Sequence, residues 1–196
     1  PEQAQNADAQ KAHKINAFNK SSRKVIGFVG SMFPYHGVDK LIAAYKHVQA
    51  KHSNILLCIM GDGVVLQDLK QMVKDLNLTD SVLFTGQIPH TEIMHYIAAT
   101  DICIMAESNW YGSPVKIFEY GLMGKPIIAP ATMPVQDVMQ DQTDGLLVSN
   151  QPEMIANAIN TMLEQPDFAK QMAQHFHEKV MTNYTWQQAA LNTLNT

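Results

Sequence analysis

A lysine and a glutamate lie three residues apart within the stretch 107–126, which reads ESNWYGSPVKIFEYGLMGKP. Ser113 and Pro114 come just before them, and because Ser is a favoured N-cap and Pro a favoured first helical residue, a helix is predicted to begin here. The N-terminus of a helix presents free N–H groups and the positive end of the helix dipole, so it suits an anion. Lys116 would stand in the first turn, where the dipole disfavours a cation. A phosphate or diphosphate bound between the lysine and the helix would explain that position.

Glu119 would lie one turn further along the same face of this helix. Its carboxylate could accept hydrogen bonds from sugar hydroxyls. The alternative is that Lys116 and Glu119 form a solvated pair on the helix surface, which would stabilise the helix by only about 0.2–0.5 kcal/mol. The spacing of the two residues leaves both interpretations open.

Strands and helices alternate along the chain, as is typical of a parallel sheet covered by helices on both faces. Six apolar runs are predicted to be strands, at residues 24–31, 54–60, 82–85, 101–106, 126–130 and 145–149. Segments with apolar residues at helical spacing are predicted to be helices, at residues 38–51, 64–76, 91–99, 135–140, 153–164, 167–183 and 186–194. With right-handed crossovers, this order predicts an α/β fold: a Rossmann-like, doubly wound sheet that ends in a helical tail.

Two unusual loops are predicted to meet at one place in such a sheet. Ligands bind outside the carboxyl ends of the strands, at the switch point between the first and fourth strands. Residues 31–37 follow the first strand and residues 107–113 follow the fourth, so the two loops should face each other across a crevice. His36 lies in the first loop, either as a ligand contact or as a histidine bonded to the backbone. This arrangement favours the binding interpretation of Lys116 and Glu119.

The composition is that of a globular domain, with 46% apolar and 16% charged residues among 196. We predict one domain at residues 23–196, preceded by a linker or lead-in at residues 1–22. The net charge is −4 and Arg23 is the only arginine, so no basic face is available for a nucleic acid. Cys58 and Cys103 lie in apolar runs and are predicted to be reduced core residues of a cytoplasmic protein. Neither a signal peptide nor a run of membrane-spanning length is recognised.

Several familiar cofactor motifs are missing from the sequence. Two glycines follow the second strand in the segment 61–63, but the third glycine of a dinucleotide fingerprint does not follow, so an NAD site is not expected. There is no phosphate-loop sequence, no Asp-x-Asp pair and no His, Cys and Glu cluster with metal-ligand spacing. We therefore expect no cofactor and no metal. The histidine pairs 90/95 and 175/177 are predicted to be surface or packing residues.

Taken together, the segments closely resemble the C-terminal, donor-binding domain of GT-B glycosyltransferases of the group 1 or family 4 retaining type. The resemblance runs from about residue 24 to residue 194 and rests on FVGSMFPYHGVDKLIAAY, LLCIMGDG, LTDSVLFTGQIP, ATDICIMA, YGSPVKIFEYGLMGKPIIA, TDGLLV and the final YTW. It implies one half of a two-domain, metal-independent enzyme. This half would bind a nucleotide-diphospho-sugar, and an N-terminal domain absent from the chain would bind most of the acceptor.

The resemblance also implies roles for individual residues. Glu119 matches the second glutamate of the family's Glu-x7-Glu motif and would bind the nucleotide ribose. Backbone groups at the start of the same helix would face the sugar and the diphosphate, and the segment 86–89 would lie against the base. The rest of the implied donor-binding set comprises Gly30, Ser31, Gly37, Gly86, Ile88, Tyr111, Gly112, Ser113, Pro114 and Val115.

Three positions depart from the family pattern. Tyr111 stands where the family has the first motif glutamate, and Glu107 lies four residues too early to replace it without a changed loop. Ser31 and His36 stand where the family has its diphosphate-binding arginine and lysine. Positive charge for the leaving diphosphate is therefore expected from Lys116, assisted by His36 if that imidazole is protonated.

The implied function is transfer of a hexose-type sugar from a UDP-, GDP- or ADP-sugar to a glycan or lipid-linked acceptor, as in polysaccharide or lipopolysaccharide biosynthesis. The chain alone is expected to bind nucleotide but not to transfer sugar. A cytoplasmic location at the inner face of a membrane would be typical of relatives, with peripheral membrane association through the absent domain. Two alternatives stay open: a nucleotide-sugar epimerase of the same architecture, and a non-catalytic module that binds a nucleotide or phosphosugar.

Overall fold

The computed structural model describes residues 22–108 and 114–184 of the chain. Within these ranges the chain forms a six-stranded parallel sheet with the strand order β3-β2-β1-β4-β5-β6. Its strands are β1 (Lys24–Val29), β2 (Ile55–Met60), β3 (Val82–Gly86), β4 (Ile102–Ile104), β5 (Ile127–Pro130) and β6 (Leu146–Val148). The adjacent positions of β1 and β4, with the later strands on one side and the earlier ones on the other, confirm the predicted Rossmann-like sheet.

Seven α-helices connect and follow these strands in the described part of the chain. They are α1 (Val38–Lys51), α2 (Leu66–Asp75), α3 (His90–Ala98), α4 (Val115–Leu122), α5 (Met133–Gln136), α6 (Pro152–Glu164) and α7 (Pro166–Asn183). A short 3-10 helix, Pro34–His36, precedes α1. The predicted lead-in, apart from its last residue, and the predicted last helix at 186–194 fall outside the ranges given above.

Four predicted elements differ from the observed ones by two residues or more at an end. Strand β1 ends at Val29 rather than at residue 31, and helix α2 begins at Leu66 rather than at residue 64. Strand β4 was expected over 101–106, but its ladder with β1 and β5 extends only over Ile102–Ile104. Helix α5 begins two residues before the predicted start because Pro134 lies in its first turn, where its fixed φ suits a helix. It also ends four residues earlier than predicted, since the chain turns there toward β6.

The sheet is buried on both faces, and alternate residues of its central strands point to opposite sides. On one face, β2 contributes Leu57 and Ile59 to a core shared with α1, α2 and α6. On the other face, it contributes Leu56 and Cys58 to a core shared with α3 and α4. Helix α7 contributes to both cores, its first half to the former and its second half to the latter. This explains the nearly continuous apolar strands of the sequence.

Both cysteines are buried thiols that form no disulfide, as predicted. Cys103 lies in the second of these cores, where burial raises the pKa of its thiol to about 12. The Thr100 hydroxyl lies 3.0 Å from its sulfur. A thiol with so high a pKa stays protonated and unreactive at neutral pH.

Helix α7 packs directly on α4, the helix that carries Lys116 and Glu119. Gly121 makes this contact close, because a Cβ at that position would lie 2.8 Å from the Phe176 ring. The imidazole of His177 donates from Nδ1 to the carbonyl of Gly121 over 2.9 Å, so His177 is a packing residue. The rings of Phe118 and Tyr184 extend the contact, with centroids 4.9 Å apart. The long C-terminal helix thus fixes the position of α4.

No helix in the described ranges has both the length and the apolar character needed to cross a membrane.

Candidate functional site

The sheet opens between β1 and β4, at its switch point. These two strands are paired only at Ile26 with Ile102 and at Gly27 with Cys103, and they separate beyond that point. The buried hydroxyl of Tyr120 fills the gap.

This hydroxyl accepts a hydrogen bond from the N–H of Val29 (3.0 Å) and donates one to the carbonyl of Ile104 (3.4 Å). Tyr120 therefore anchors α4 to the carboxyl ends of both strands. Its part in the site had no distinguishing signal in the sequence beyond its place one residue after Glu119.

A crevice of about 620 Å³ lies at the carboxyl ends of β1, β2 and β3. Four of the predicted donor-binding residues lie on its wall: Gly30, Ser31, Ile88 and Glu119. They come from three separate segments, the loops after β1 and β3 and the middle of α4. The structure thus brings residues that are far apart in sequence to one cavity at the edge where this fold binds ligands.

Lys116 reaches toward the switch point rather than into solvent. Its Nζ is buried and has no hydrogen-bond partner among the residues that the structure describes. It lies 4.7 Å from the centre of the Phe28 ring, and a Cβ on Gly30 would be only 2.8 Å from it. The Lys116 side chain therefore lies behind the crevice wall, against Gly30, and does not form part of the wall itself.

The electrostatics of Lys116 follow from this burial. Loss of water lowers the pKa of its ammonium to about 8, and the nearby negative charge of Glu119 opposes that shift. The solvated surface pair considered above does not describe these two residues, since the ammonium is out of contact with water. A buried cation with no partner is unfavourable unless an anion joins it, which is a property expected of a binding site.

His36 is bonded to the backbone of its own loop. Its Nδ1 donates to the carbonyl of Ser31 and lies 3.4 Å from the Ser31 hydroxyl. Burial lowers the pKa of the imidazole, the bond to Ser31 raises it, and the positive charge of Lys116 lowers it further, so that the pKa lies below its usual value. At neutral pH without ligand, His36 is thus uncharged.

Two glycines after β2 form a part of the crevice that the sequence did not reveal. A Cβ on Gly61 would lie 2.0 Å from the carbonyl oxygen of Gly30, and a Cβ on Gly63 would lie 2.4 Å from that of Met32. The loop after β2 therefore packs backbone to backbone on the loop after β1. The carbonyl of Gly86, a residue with φ +72° at the end of β3, accepts from the Gly61 N–H over 3.1 Å. In the sequence, the only signal for a role of Gly61 and Gly63 was their position after a central strand.

Glu107 joins the loops after β1 and β4, which confirms that they are neighbours. It packs on Gly37, where a Cβ would come within 2.7 Å of the Glu107 Cβ. Its carboxylate is bound by the Lys40 ammonium (2.7 Å) and by the Asn150 side-chain amide (2.6 Å). Both carboxylate oxygens are thus engaged, so Glu107 serves to tie three loops together.

The predicted start of α4 is only partly described. Tyr111, Gly112 and Ser113 lie between the two described ranges, so their predicted roles stay predictions. Pro114 is buried and precedes the helix, which begins at Val115, one residue later than predicted. The side chain of Val115 is exposed. In the parts of the chain that the structure covers, no three His, Cys, Asp or Glu side chains are grouped to hold a metal ion.

Comparison with known proteins identifies a family match. The family described as "Glycosyl transferases group 1" matches residues 8–179. An alpha-D-kanosaminyltransferase from Streptomyces kanamyceticus is 26% identical over 170 residues, which are 86% of this chain and 44% of that enzyme. This chain thus spans less than half of that relative's length.

Two solved structures share the fold. The C-terminal domain of a glycosyl transferase group 1 family protein from Francisella tularensis superposes with a TM-score of 0.77 at 23% identity, covering 84% of this chain and 87% of that one. The HepE protein of Anabaena, in complex with UDP-glucose, superposes with a TM-score of 0.79 at 21% identity, covering 97% of this chain and 53% of that one.

Proposed function

The chain belongs to the glycosyl transferases of group 1, a family match that covers most of its length, and we propose from this that it binds the nucleotide-diphospho-sugar donor of a metal-independent, retaining hexosyltransferase. One observation carries the proposal. The Lys116 ammonium is buried at the switch point without a partner among the described residues, directly behind a crevice wall that holds Gly30 and Glu119. This is the charge distribution that a bound diphosphate would complete.

In the proposed complex, the diphosphate lies at Gly30 and Ser31, and Glu119 accepts hydrogen bonds from the ribose. The base lies against residues 86–89, of which Ile88 is already on the crevice wall. Lys116 leaves its position over the Phe28 ring by rotation about its side-chain bonds and meets the diphosphate. The long, flexible lysine stem allows this movement without a change in the backbone.

Catalysis would then depend on stabilising the leaving group. As the bond between the sugar and the diphosphate breaks, negative charge grows on the nucleoside diphosphate. Lys116 and the N-terminus of α4 would meet that charge, and the loss of one such group typically slows a reaction by about 10²–10³-fold. A bound diphosphate would also raise the pKa of His36, so that this imidazole could add a second positive charge.

The acceptor would be a glycan or a lipid-linked sugar held by a second domain. Three exposed aliphatic side chains lie on the same edge of the sheet as the crevice, each just after a strand or at the start of α4: Val64, Val115 and Met133. We infer that this edge faces the part of the enzyme that binds the acceptor. Of the solved structures described above, the one from Francisella is itself an isolated C-terminal domain, which supports a division at this place. A cytoplasmic location is part of the proposal.

The proposal is tested by an NMR titration of the chain with UDP, GDP and ADP. We expect at least one nucleotide to bind with a Kd of about 1 mM or better, which is a free energy of roughly −4 kcal/mol. Shift changes should cluster at residues 30–37, 86–89 and 115–119. They should be lost in Lys116→Met and strongly reduced in Glu119→Gln. Lys24→Met is the matched control, because Lys24 is an exposed lysine at the opposite end of β1.

Two results would count against the proposal. One is the absence of shifts with all three nucleotides while the chain is folded. The other is binding that Lys116→Met leaves unchanged.

One observation favours a second candidate, a non-catalytic binding module. Ser31 and an uncharged His36 stand where the family has two cations, so at neutral pH Lys116 alone supplies positive charge in the described part of the site. A longer protein that includes the preceding domain decides between the two. Donor binding without any turnover would favour the module, conversion of the donor without an acceptor would indicate an epimerase, and transfer would support the proposal.

A further inference from the structure

Phe33 and Tyr35 form a pair of exposed aromatic rings on the loop after β1. Their centroids are 5.5 Å apart and their planes differ by 5°, so the rings are stacked. Phe33 is 36% exposed and Tyr35 is 45% exposed. Although the two rings are stacked on each other, each keeps more than a third of its surface exposed, so the pair presents apolar ring surface to solvent. We call these two residues the aromatic platform.

The loop that carries the platform is fixed before any ligand arrives. Met32, which precedes Phe33, is fully buried, and its N–H donates to the carbonyl of Asp62 over 2.9 Å. Pro34 begins the 3-10 helix with a fixed φ. The ring of His36 meets that of Tyr35 edge to face, with centroids 4.6 Å apart. A surface held in this way loses little conformational entropy when it binds.

The platform stands at the mouth of the crevice. Phe33 is on the crevice wall, three residues after Gly30 and two after Ser31, where the diphosphate is proposed to lie. Tyr35 lies further along the 3-10 helix, beyond that wall. A ligand that leaves the phosphate end of the crevice in this direction would pass over the two rings.

The chemistry of the platform fits a sugar ring. A pyranose has C–H groups on its faces and hydroxyls around its rim, so it can stack on an aromatic ring while its hydroxyls stay hydrated. Aromatic side chains provide a large, rigid contact area at low entropic cost, and the phenol of Tyr35 adds a polar edge. The Ser31 hydroxyl and the His36 imidazole, at the base of the loop, could bind some of the hydroxyls around the rim of the sugar.

We propose that Phe33 and Tyr35 bind a pyranose ring at the mouth of the crevice. The inference rests on the proposed function, which places a sugar donor in that crevice. This pyranose would be either the sugar of the donor, which is covalently attached to a nucleoside diphosphate, or a sugar of an acceptor glycan, which is not.

The test follows the aromatic ring resonances of the chain by NMR. In one arm, UDP is compared with UDP-glucose, and GDP with GDP-mannose. In the other arm, methyl glucoside and methyl mannoside are added with and without nucleotide. If the bound pyranose is the sugar of the donor, the platform resonances should shift in the first arm alone. An acceptor site would be perturbed by the free glycosides.

Four variants sharpen the test. Tyr35→Ala and Phe33→Leu should lower the affinity for the sugar-bearing probe by about two- to tenfold, the range expected for one aromatic contact, relative to the same probe without its sugar. Tyr35→Phe keeps the ring and should retain binding. Met181→Ala removes an exposed apolar side chain of α7 that does not line the crevice, and it should change nothing.

The proposal fails if no sugar-bearing probe shifts the platform resonances. It also fails if both Tyr35→Ala and Phe33→Leu leave the affinity ratios unchanged. The failure of every nucleotide to bind would instead overturn the proposed function, and the glycosides without nucleotide would then still decide whether the platform binds sugar.

Discussion

Lys116 occupies a position that suits a ligand and weakens the free protein. Its ammonium is buried, has no hydrogen-bond partner in the described ranges and has a pKa lowered to about 8 by the loss of water. The contact with the Phe28 ring compensates only in part, since a cation over an aromatic ring is worth roughly 0.5–2 kcal/mol. Sites that must bind a charged ligand commonly accept such a loss of stability.

Replacing Lys116 with Met should therefore stabilise the fold while abolishing nucleotide binding. Because the pKa in the folded state lies below the usual value of 10.5, the folded protein binds fewer protons than the unfolded chain between about pH 8 and 10.5. The stability of the wild type should rise with pH through that window, and that of Lys116→Met should not. Near neutral pH we expect the variant to gain on the order of 1–3 kcal/mol, measured by urea denaturation. Lys24→Met should stay within about 0.5 kcal/mol of the wild type. A variant less stable than the wild type would contradict this account.

At the scale of the element, helix α4 is attached to the sheet by the hydroxyl of Tyr120. Tyr120→Phe keeps the ring but leaves the Val29 N–H and the Ile104 carbonyl without that partner. A buried polar group that loses its partner costs about 1–3 kcal/mol. Because the bond to Ile104 is long at 3.4 Å, the Val29 N–H should account for most of the loss, and we expect the free energy of unfolding to fall by about that amount. Chemical denaturation measures this directly. Tyr184→Phe is the control, because that ring is exposed and its change should be near zero. Equal stability of the two variants would show that Tyr120 does not anchor the helix.

Helix α7 is held by a charged cluster around Asp144, which lies between α5 and β6. The Asp144 side chain is fully buried and is bound by Lys179 (2.7 Å), by His175 (2.6 Å) and by the Gln140 N–H (2.8 Å). Burial alone would raise the pKa of Asp144, but the bond from Lys179, with those from Gln140 and His175, lowers it below its usual value. The sequence predicts His175 to be a surface or packing residue, and the structure adds its hydrogen bond to a buried carboxylate.

The cluster predicts a specific loss of stability in acid. Because the pKa of Asp144 is depressed in the folded state, its contribution is present above the usual carboxyl pKa of about 4 and is lost as pH falls through the folded value. Asp144→Asn should lower stability at pH 7 by on the order of 2–3 kcal/mol and should flatten the acid limb of a plot of unfolding free energy against pH. Asp137→Asn, at an exposed site, should leave both quantities unchanged. An unaltered acid limb in Asp144→Asn would place the acid sensitivity elsewhere.

For the molecule as a whole, the sequence predicted the fold because local patterns determine it. Apolar runs such as 55–60 are buried on both faces only in a parallel sheet, and their alternation with helices leaves few topologies. The errors lie either where tertiary contacts decide or where one local residue outweighs the apolar spacing. The ladder with β1 and β5 shortens β4, and a proline in the first turn of α5 moves that helix toward the N-terminus.

The candidate site was predictable in its location but not in its details. Residue types and spacing indicated Lys116 and Glu119, and the topology indicated the loops that join them. The position of Lys116 against Gly30 and the close packing of Gly61 on the same residue depend on segments that are distant in sequence. The uncharged state of His36 depends on its burial and on its neighbours, which a sequence does not specify.

The chain by itself should not act as a catalyst. Its crevice is open on the edge where Val64, Val115 and Met133 are exposed, and the chain spans 44% of the kanosaminyltransferase that it resembles. A single wall neither excludes water nor positions an acceptor, so electrostatic stabilisation of a leaving diphosphate would be weak there. We expect the 196-residue chain to bind nucleotide but to leave UDP-glucose and GDP-mannose intact in the presence of methyl glycosides, as followed by NMR. A longer protein that includes the proposed acceptor-binding domain should consume its donor, and Lys116→Met in that protein should slow consumption by about 10²–10³-fold. Sugar transfer by the chain alone would show that one domain suffices, and the exposed edge would then need another explanation.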